Sequence, residues 1–471
     1  MTSRARADLD PRTRLAYAAP AFAIAAVGIP IYVHLPKFYT DVVGVPVGVV
    51  GFVLMVGRVL DGIVDPLAGW ISDRTRTRWG RRRPFVAGAA VPLALALYLL
   101  FTPPLDAPAI ASWWLAASMF SVFLLWTFVT VPYEALGPEL TFHYDERTSL
   151  LALRDGALLA GTLLAAASPT IAGALLGLGG DAASEAARFR AVALFYGPVI
   201  VAACLWCAAT VKERPPRPEA DAGERSAWRA MAGNRPFLVL LASYAVAALG
   251  SNLPGTLILF YVQYVLESGS ADLFMLLYLV TGIAFLPLWV RVAERFDKKS
   301  AWLAATAINT GAFFGVSFLG AGDAGPYAAL VVVSGIGFGA TVAIPSSMQA
   351  DVIDYDELLS GRRREGSYLG IWAVARKAAA AIGIGAGLAV LDRAGYVPNA
   401  PQTPEVKQVI AMLYSIVPCA CNALGFALAL AYPIGRGRHA EILDAIDARR
   451  RGEDVVDPLR EGVVLPGGAP A

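Results

Sequence analysis

Arg58, Asp61 and Asp65 stand three and four residues apart inside a stretch that is otherwise almost wholly apolar. At 3.6 residues per turn their side chains share one helix face. Two carboxylates one turn apart can hold a proton or a small hard cation, for which oxygen ligands are suited. Arg58 can serve that site as a gating charge or form a structural ion pair with Asp61. A second group, Trp126, Thr127, Thr130, Tyr133 and Glu134, falls on one side of a later helix. Aromatic faces beside hydroxyls suit a pyranose, which has an apolar face and a polar rim. Plain helix packing would give the same stripe. Arg154 and Asp155 follow, and a late apolar run carries Tyr368, Trp372, Arg376 and Lys377. An ionisable side chain at a bilayer centre costs about 2.5–3.5 kcal/mol. These charges therefore need partners or a polar cavity. Interior carboxylates, or an anionic group on a substrate, would account for Arg376 and Lys377. Ser251, Asn252, Pro254 and Gly255 point to an interrupted helix, either a gate or a kink.

The elements that must position these residues are membrane helices. Of 471 residues, 57% are hydrophobic and only 16% charged, against about 25% charged in an average soluble protein. Twelve apolar runs are long enough to span a bilayer. They cover 15–38, 47–72, 84–103, 110–134, 152–178, 189–211, 236–264, 272–292, 300–320, 325–349, 367–391 and 408–433. The expected fold is all-α, with six helices in 1–211, a polar linker at 212–235, six more in 236–434 and a tail at 435–471. Arg74, Arg81 and Arg82 crowd the connection after the second run, and Lys or Arg recurs in the other even-numbered connections. The third–fourth, seventh–eighth and ninth–tenth connections carry neither. The positive-inside rule then places both termini in the cytoplasm. The halves echo each other, with Asp73 and its arginines answered by Glu294, Arg295, Asp297, Lys298 and Lys299. In the tail, Ile442, Leu443 and Ile446 line one side of a short helix before Arg449–Arg451. That pattern predicts a helix lying on anionic lipid. The polar stretch Met1–Arg14 leads into a helix too long for a signal segment, so no cleaved targeting sequence is expected.

Catalytic signatures are missing from the sequence. There is no G-x-x-x-x-G-K-[ST] loop, no H-E-x-x-H and no G-x-S-x-G, and the three histidines are scattered. Cys204-Leu-Trp-Cys207 has no further ligands nearby and reads as two small buried residues. The expectation is a protein that is not an enzyme, with no cofactor, no metal centre and no nucleic-acid partner.

Longer motifs carry a resemblance. Tyr39-Thr40-Asp41-Val42-Val43-Gly44, Asp61-x-x-x-Asp65-Pro66, Gly69-Trp70 and Thr75-Arg76-Thr77-Arg78-Trp79-Gly80-Arg81-Arg82-Arg83-Pro84 stand in the first half. Asp351, Asp354-Tyr355, Glu365, Lys377 and Gly395-Tyr396-Val397-Pro398-Asn399 stand in the second. Together they resemble the glycoside–pentoside–hexuronide:cation symporters, the melibiose-permease branch of the major facilitator superfamily. The resemblance covers nearly the whole chain. It implies twelve transmembrane helices in two pseudo-symmetric six-helix bundles. It also implies symport of a sugar with H+ or Na+ by alternating access in the inner membrane, by a monomer surrounded by lipid. On matching positions Asp61, Asp65 and Thr127 would bind the cation, with Thr130 beside them. Arg154 would bind substrate, Trp126 would stand in the sugar site and Lys377 would balance the acids; from the residue pattern alone, Tyr133, Glu134, Trp372 and Lys377 are further substrate-site candidates. Arg58, Asp73, Arg74, Arg81, Arg82 and Arg376 would be gating or structural charges, with the arginine-rich connection latching the outward-open state. Departures stand at Ala25 and Thr130, where that branch has acids, and at Glu134, where it has tryptophan. Galactoside recognition is therefore not carried over, and a proton suits the site as well as sodium. A lysolipid or other amphiphile carrier is the rival reading, and a non-transporting receptor or scaffold the more distant one.

Overall fold

A computed structural model describes residues 9–105, 107–141, 144–179, 181–213, 231–361 and 364–467. Most of the 212–235 linker lies outside these residues. The first half runs α1 (Pro11–Val42), α2 (Val47–Arg74), α3 (Arg83–Leu100), α4 (Pro108–Leu140), α5 (Tyr144–Leu176) and α6 (Ala182–Thr210). The second runs α7 (Arg235–Val265), α8 (Ala271–Arg295), α9 (Lys298–Val316), α10 (Ala324–Ser360), α11 (Glu365–Arg393) and α12 (Pro404–Leu430). Among the described residues, eleven helices are long and apolar enough to cross a membrane. The remaining one of the expected twelve is α9, with 19 residues that include Lys298, Lys299 and Asn309. Large apolar side chains such as Trp113, Leu175 and Phe318 are exposed on the outside of the bundle, as lipid contact requires.

Local sequence explains the helix ends. Asp181, Asn234, Asp297 and Thr403 cap α6, α7, α9 and α12 by accepting a backbone N–H three residues on. Prolines start several helices, where the missing N–H costs nothing. Inside α1, Pro30 begins one π-helical turn, Pro30–His34, and a second follows at Phe38–Val42. Such turns keep the backbone bonded where an α-helical ladder is broken. The expected interruption of α7 is not there: the helix continues through Pro254 to a π turn at Tyr261–Val265. Asn252 donates to the carbonyl of Ala248, inside its own helix. Three helices overrun the apolar windows at one end, α4 to Leu140, α5 from Tyr144 and α10 to Ser360.

The helices pair closely where glycine faces backbone. A Cβ on Gly161 would stand 2.2 Å from the Phe22 carbonyl oxygen, where α5 crosses α1. One on Gly383 would stand 2.4 Å from the Leu249 carbonyl oxygen, where α11 crosses α7. Between halves the principal contact is α2 along α11, with α5 against α8 as a second seam. The arginine-rich connection after α2 marks one end of the bundle, called here the basic end. The tail lies at that same end. Its helix α13 (Arg436–Arg450) buries Ile442, Ala445 and Ile446 against the overrunning part of α10, around Val352, Tyr355 and Leu358. This corrects the expectation of a helix lying on lipid, since only Leu443 of its apolar trio is exposed. A short hairpin, β1 (Val455–Val456) and β2 (Val464–Leu465), follows.

Candidate functional site

The α2 face positions its charges as the spacing demands, and α11 supplies what the spacing alone could not reveal. The Lys377 ammonium reaches between the two carboxylates, 2.7 Å from Asp61 and in direct hydrogen-bond contact with Asp65. Thr127 of α4 is buried, with its hydroxyl 2.8 Å from Asp61 Oδ1 and 3.2 Å from Asp65 Oδ1. Arg58 lies 3.9 Å from Asp61 and sets its guanidinium 3.8 Å from the centre of the Tyr32 ring. One lysine thus ties the halves together through two acids, whose oxygens are of the kind that can take up a proton or a hard cation.

Other expected site residues are placed differently. Thr130 is one turn beyond Thr127, and its buried hydroxyl has no hydrogen-bond partner among the described residues. Trp126 packs towards α1 at Gly28. Tyr133 is 2% exposed; its ring lies 5.2 Å from that of Tyr17, and its hydroxyl donates to the Tyr17 carbonyl at 2.7 Å. Its polar atom is therefore committed to the packing of α4 on α1. Glu134 is exposed, in electrostatic range first of Arg154 and then of Arg376. Arg154 pairs with its neighbour Asp155 at 2.7 Å. Trp372 is buried against Tyr244, with ring centres 4.3 Å apart.

A cavity of about 400 Å³ opens beside the cluster, mostly within α7–α12. Arg58, Arg376 and Lys377 stand in its wall, with Tyr244, Asn252 and Tyr278. Trp126, Tyr133, Glu134, Arg154 and Trp372 are not in that wall. The composition of α8–α10 gave no warning of a cavity there, because its lining is largely aromatic and aliphatic. Thr306, Asn309, Ser334 and Thr341 are the polar residues there, and Asn309 bonds the Ser334 carbonyl and hydroxyl at 3.1 and 2.9 Å.

Two further clusters lie at the ends. At the end opposite the basic one, Asp41 of α1 accepts from Tyr396 at 2.6 Å and from Tyr264 at 3.0 Å. Asn399 donates to the Asp41 carbonyl, and Asp392 accepts the Gly48 N–H at 3.1 Å. Those four links join the two halves. At the basic end Asp73 pairs with Arg82 at 3.0 Å and Arg81 at 3.7 Å. Glu213 takes the backbone N–H groups of Arg81, Arg82 and Arg83, and Arg74 lies over the Trp70 ring. These contacts hold the connection to the ends of α2 and α6, within the first half.

A family model described as "MFS/sugar transport protein" matches residues 16–436. The chain is 29% identical to a putative glycoside/cation symporter of Escherichia coli (strain K12), over 90% of this chain and 92% of that protein. It is 27% identical to a glucuronide carrier protein homologue of the same organism, over 88% and 91%. Among solved structures it is similar to a bacterial homologue of the human lysosomal transporter Spinster, crystallised inward-facing and unoccupied. The TM-score there is 0.63 at 14% identity, over 93% of this chain and 96% of that one. At that identity the likeness concerns the fold.

Proposed function

The chain belongs to the MFS/sugar transport protein family, and on that basis we propose that it carries a sugar or glycoside across a membrane together with a cation, H+ or Na+, by alternating access. The observation that carries the reading is the Lys377 clamp on Asp61 and Asp65. A proton or sodium ion arriving at those carboxylates competes with the ammonium. Once Lys377 is released, the α2–α11 seam loses its central ion pair and the halves are freer to move. Cation and cargo then favour the same states, which gives a reciprocal coupling. The relatives named as glycoside/cation symporter and glucuronide carrier homologue support sugar-type cargo over a lysolipid. They also favour transport over an enzyme or a silent scaffold.

The positive-inside rule supports a cytoplasmic basic end, with both termini there, in the inner or plasma membrane of a bacterium. The Asp41 knot then faces outwards, so this conformation is shut to the outside. Residues 1–211 and 236–434 act as the two rocking bundles of a monomer. The test is uptake of labelled mono- and disaccharide glycosides into proteoliposomes under an imposed pH or Na+ gradient, with Asp61→Asn/Asp65→Asn as the blank. Accumulation that follows one gradient and vanishes in the blank is expected. No accumulation under either gradient would reject the reading.

A further inference from the structure

The second seam between the halves, α5 against α8, carries an ionisable pair that the Asp61–Asp65 site does not use. At the end opposite the basic one, Thr170 of α5 donates to Asp272 of α8 at 2.5 Å. His34 of α1 points at the same carboxylate and stops 3.9 Å from it, beyond hydrogen-bonding reach. The residue is 3% exposed, and its Nε2 is buried with no hydrogen-bond partner among the described residues. His34 and Thr170 belong to the first half and Asp272 to the second, so the group straddles the seam.

Buried polar atoms are normally bonded, and an open Nε2 aimed at a carboxylate marks a place for a ligand. The ligand these groups suit is a proton. With it the ring carries N–H on both nitrogens and faces Asp272 as a cation able to make a charge-assisted hydrogen bond. The surroundings leave that role to Asp272. Among the described residues, the charged groups acting on His34 are Asp272 and Lys37, and Lys37 lies 3.7 Å from Asp41. From α6 the Phe189 ring faces the imidazole, with ring centres 5.7 Å apart, while Arg188 is engaged by the Leu178 and Gly179 carbonyls. The α7 segment that packs on Pro30–His34 has no Asp, Glu, Lys, Arg or His from Pro236 to Val265. Asp272 itself is partly exposed, so the medium at that end reaches the pair.

We propose that His34 and Asp272 form a proton site separate from Asp61 and Asp65, and that filling it holds the carrier shut at the end opposite the basic one. This rests on the alternating-access reading above, but not on the identity of the cargo or of the coupling ion. Opening at that end parts α1 and α5 from α8, so imidazole and carboxylate are neighbours in the shut state alone. The proton then binds the shut state more tightly than the open one. By linkage the shut state is favoured in acid, and the preference is lost as pH rises through the imidazole's titration.

The experiment uses the full-length protein in lipid nanodiscs, with Cys204, Cys207, Cys419 and Cys421 replaced by serine. Spin labels are placed on cysteines introduced at Leu175 and Gly269, both exposed, at the end of α5 and just before α8. Pulsed dipolar spectroscopy reads their separation from about pH 5 to 8, without cargo and at one Na+ concentration. The ratio of long to short separations should rise by about tenfold or more across that range. His34→Gln and Asp272→Asn should each abolish the rise, and His34→Lys should keep the short separation at every pH. If His34→Gln does not fold, Asp272→Asn decides. A pH step that persists in the folded neutral variants would overturn the proposal and leave alternating access standing. So would a wild type indifferent to pH while Tyr396→Phe lengthens the separation. A separation that changes in neither would remove the alternating-access reading, and this proposal with it.

Discussion

Lys377 sits between Asp61 and Asp65 at hydrogen-bonding distance, in a place where any of the three alone would be costly. Substitution of Asp65 or Lys377 should therefore stop coupled transport. Asp65→Asn should abolish cation-driven accumulation while leaving the protein folded; full gradient-driven uptake by this variant would remove the cation site from α2. Lys377→Ala leaves two carboxylates sharing Thr127 with no lysine between them, and Arg154→Ala leaves Asp155 without its partner. Both should lose transport and still run as monodisperse protein on size exclusion. Unchanged transport in both would move the substrate site elsewhere. The α2 acids were legible in the sequence because charge is rare in an apolar run and the spacing of three and four has one geometric meaning. The aromatic stripe of α4 was less legible. Tyr133 and Thr127 share a helical side, but one hydroxyl serves a backbone carbonyl of α1 and the other the acid pair. Periodicity cannot tell these apart.

At the scale of elements, the helices declare themselves through apolar length, and their ends do not. Charged residues at the start of α5 and the end of α10 read as connections, yet the helices run through them, since helix propensity outlasts the apolar window there. The tail helix was misread for a related reason. An apolar stripe states that something covers it, and α10 does so in place of lipid. Close helix pairs are more directly testable. Gly161→Leu should push α5 off α1 and destabilise the protein by about 1–3 kcal/mol, seen as a lower unfolding temperature in detergent. Gly156→Ala, where a Cβ meets nothing within 4 Å, should leave it unchanged. Equal effects of the two would mean that the α1–α5 contact contributes little.

For the whole molecule, the informative feature is where the two halves touch. The Tyr-Thr-Asp segment at the end of α1 and the Gly-Tyr-Val-Pro-Asn segment after α11 are recognisable as motifs 355 residues apart, but no local pattern says that they meet. In the folded chain Asp41 receives Tyr396 and Tyr264. Removing a hydrogen bond to a charged group costs about 1.5–3 kcal/mol. Tyr396→Phe should therefore shift the carrier towards states open at that end by about tenfold or more. Labelling of a cysteine introduced at Asn252, in the cavity wall, by an impermeant thiol reagent added outside should accelerate accordingly. The opposite manipulation is Gly48→Cys with Asp392→Cys, whose parent residues already share a hydrogen bond. Oxidation should stop transport and reduction should restore it; transport that continues in the cross-linked protein would mean the seam need not part.

The tail is anchored to one half at many points. Arg436 bonds the Glu294 carbonyl, His439 meets Asp354, Arg450 meets Glu357, Tyr355 donates to Asp457 and Arg460 reaches the Gly233 carbonyl. These partners lie in the second half or, for Gly233, in the linker just before it, whereas the arginine-rich connection is fastened to the first half. The molecule thus carries a pointer and a dial on the same accessible face. A fluorophore on the hairpin and another on the arginine-rich connection would report the angle between the bundles directly, through distance changes that need no substitution within the membrane.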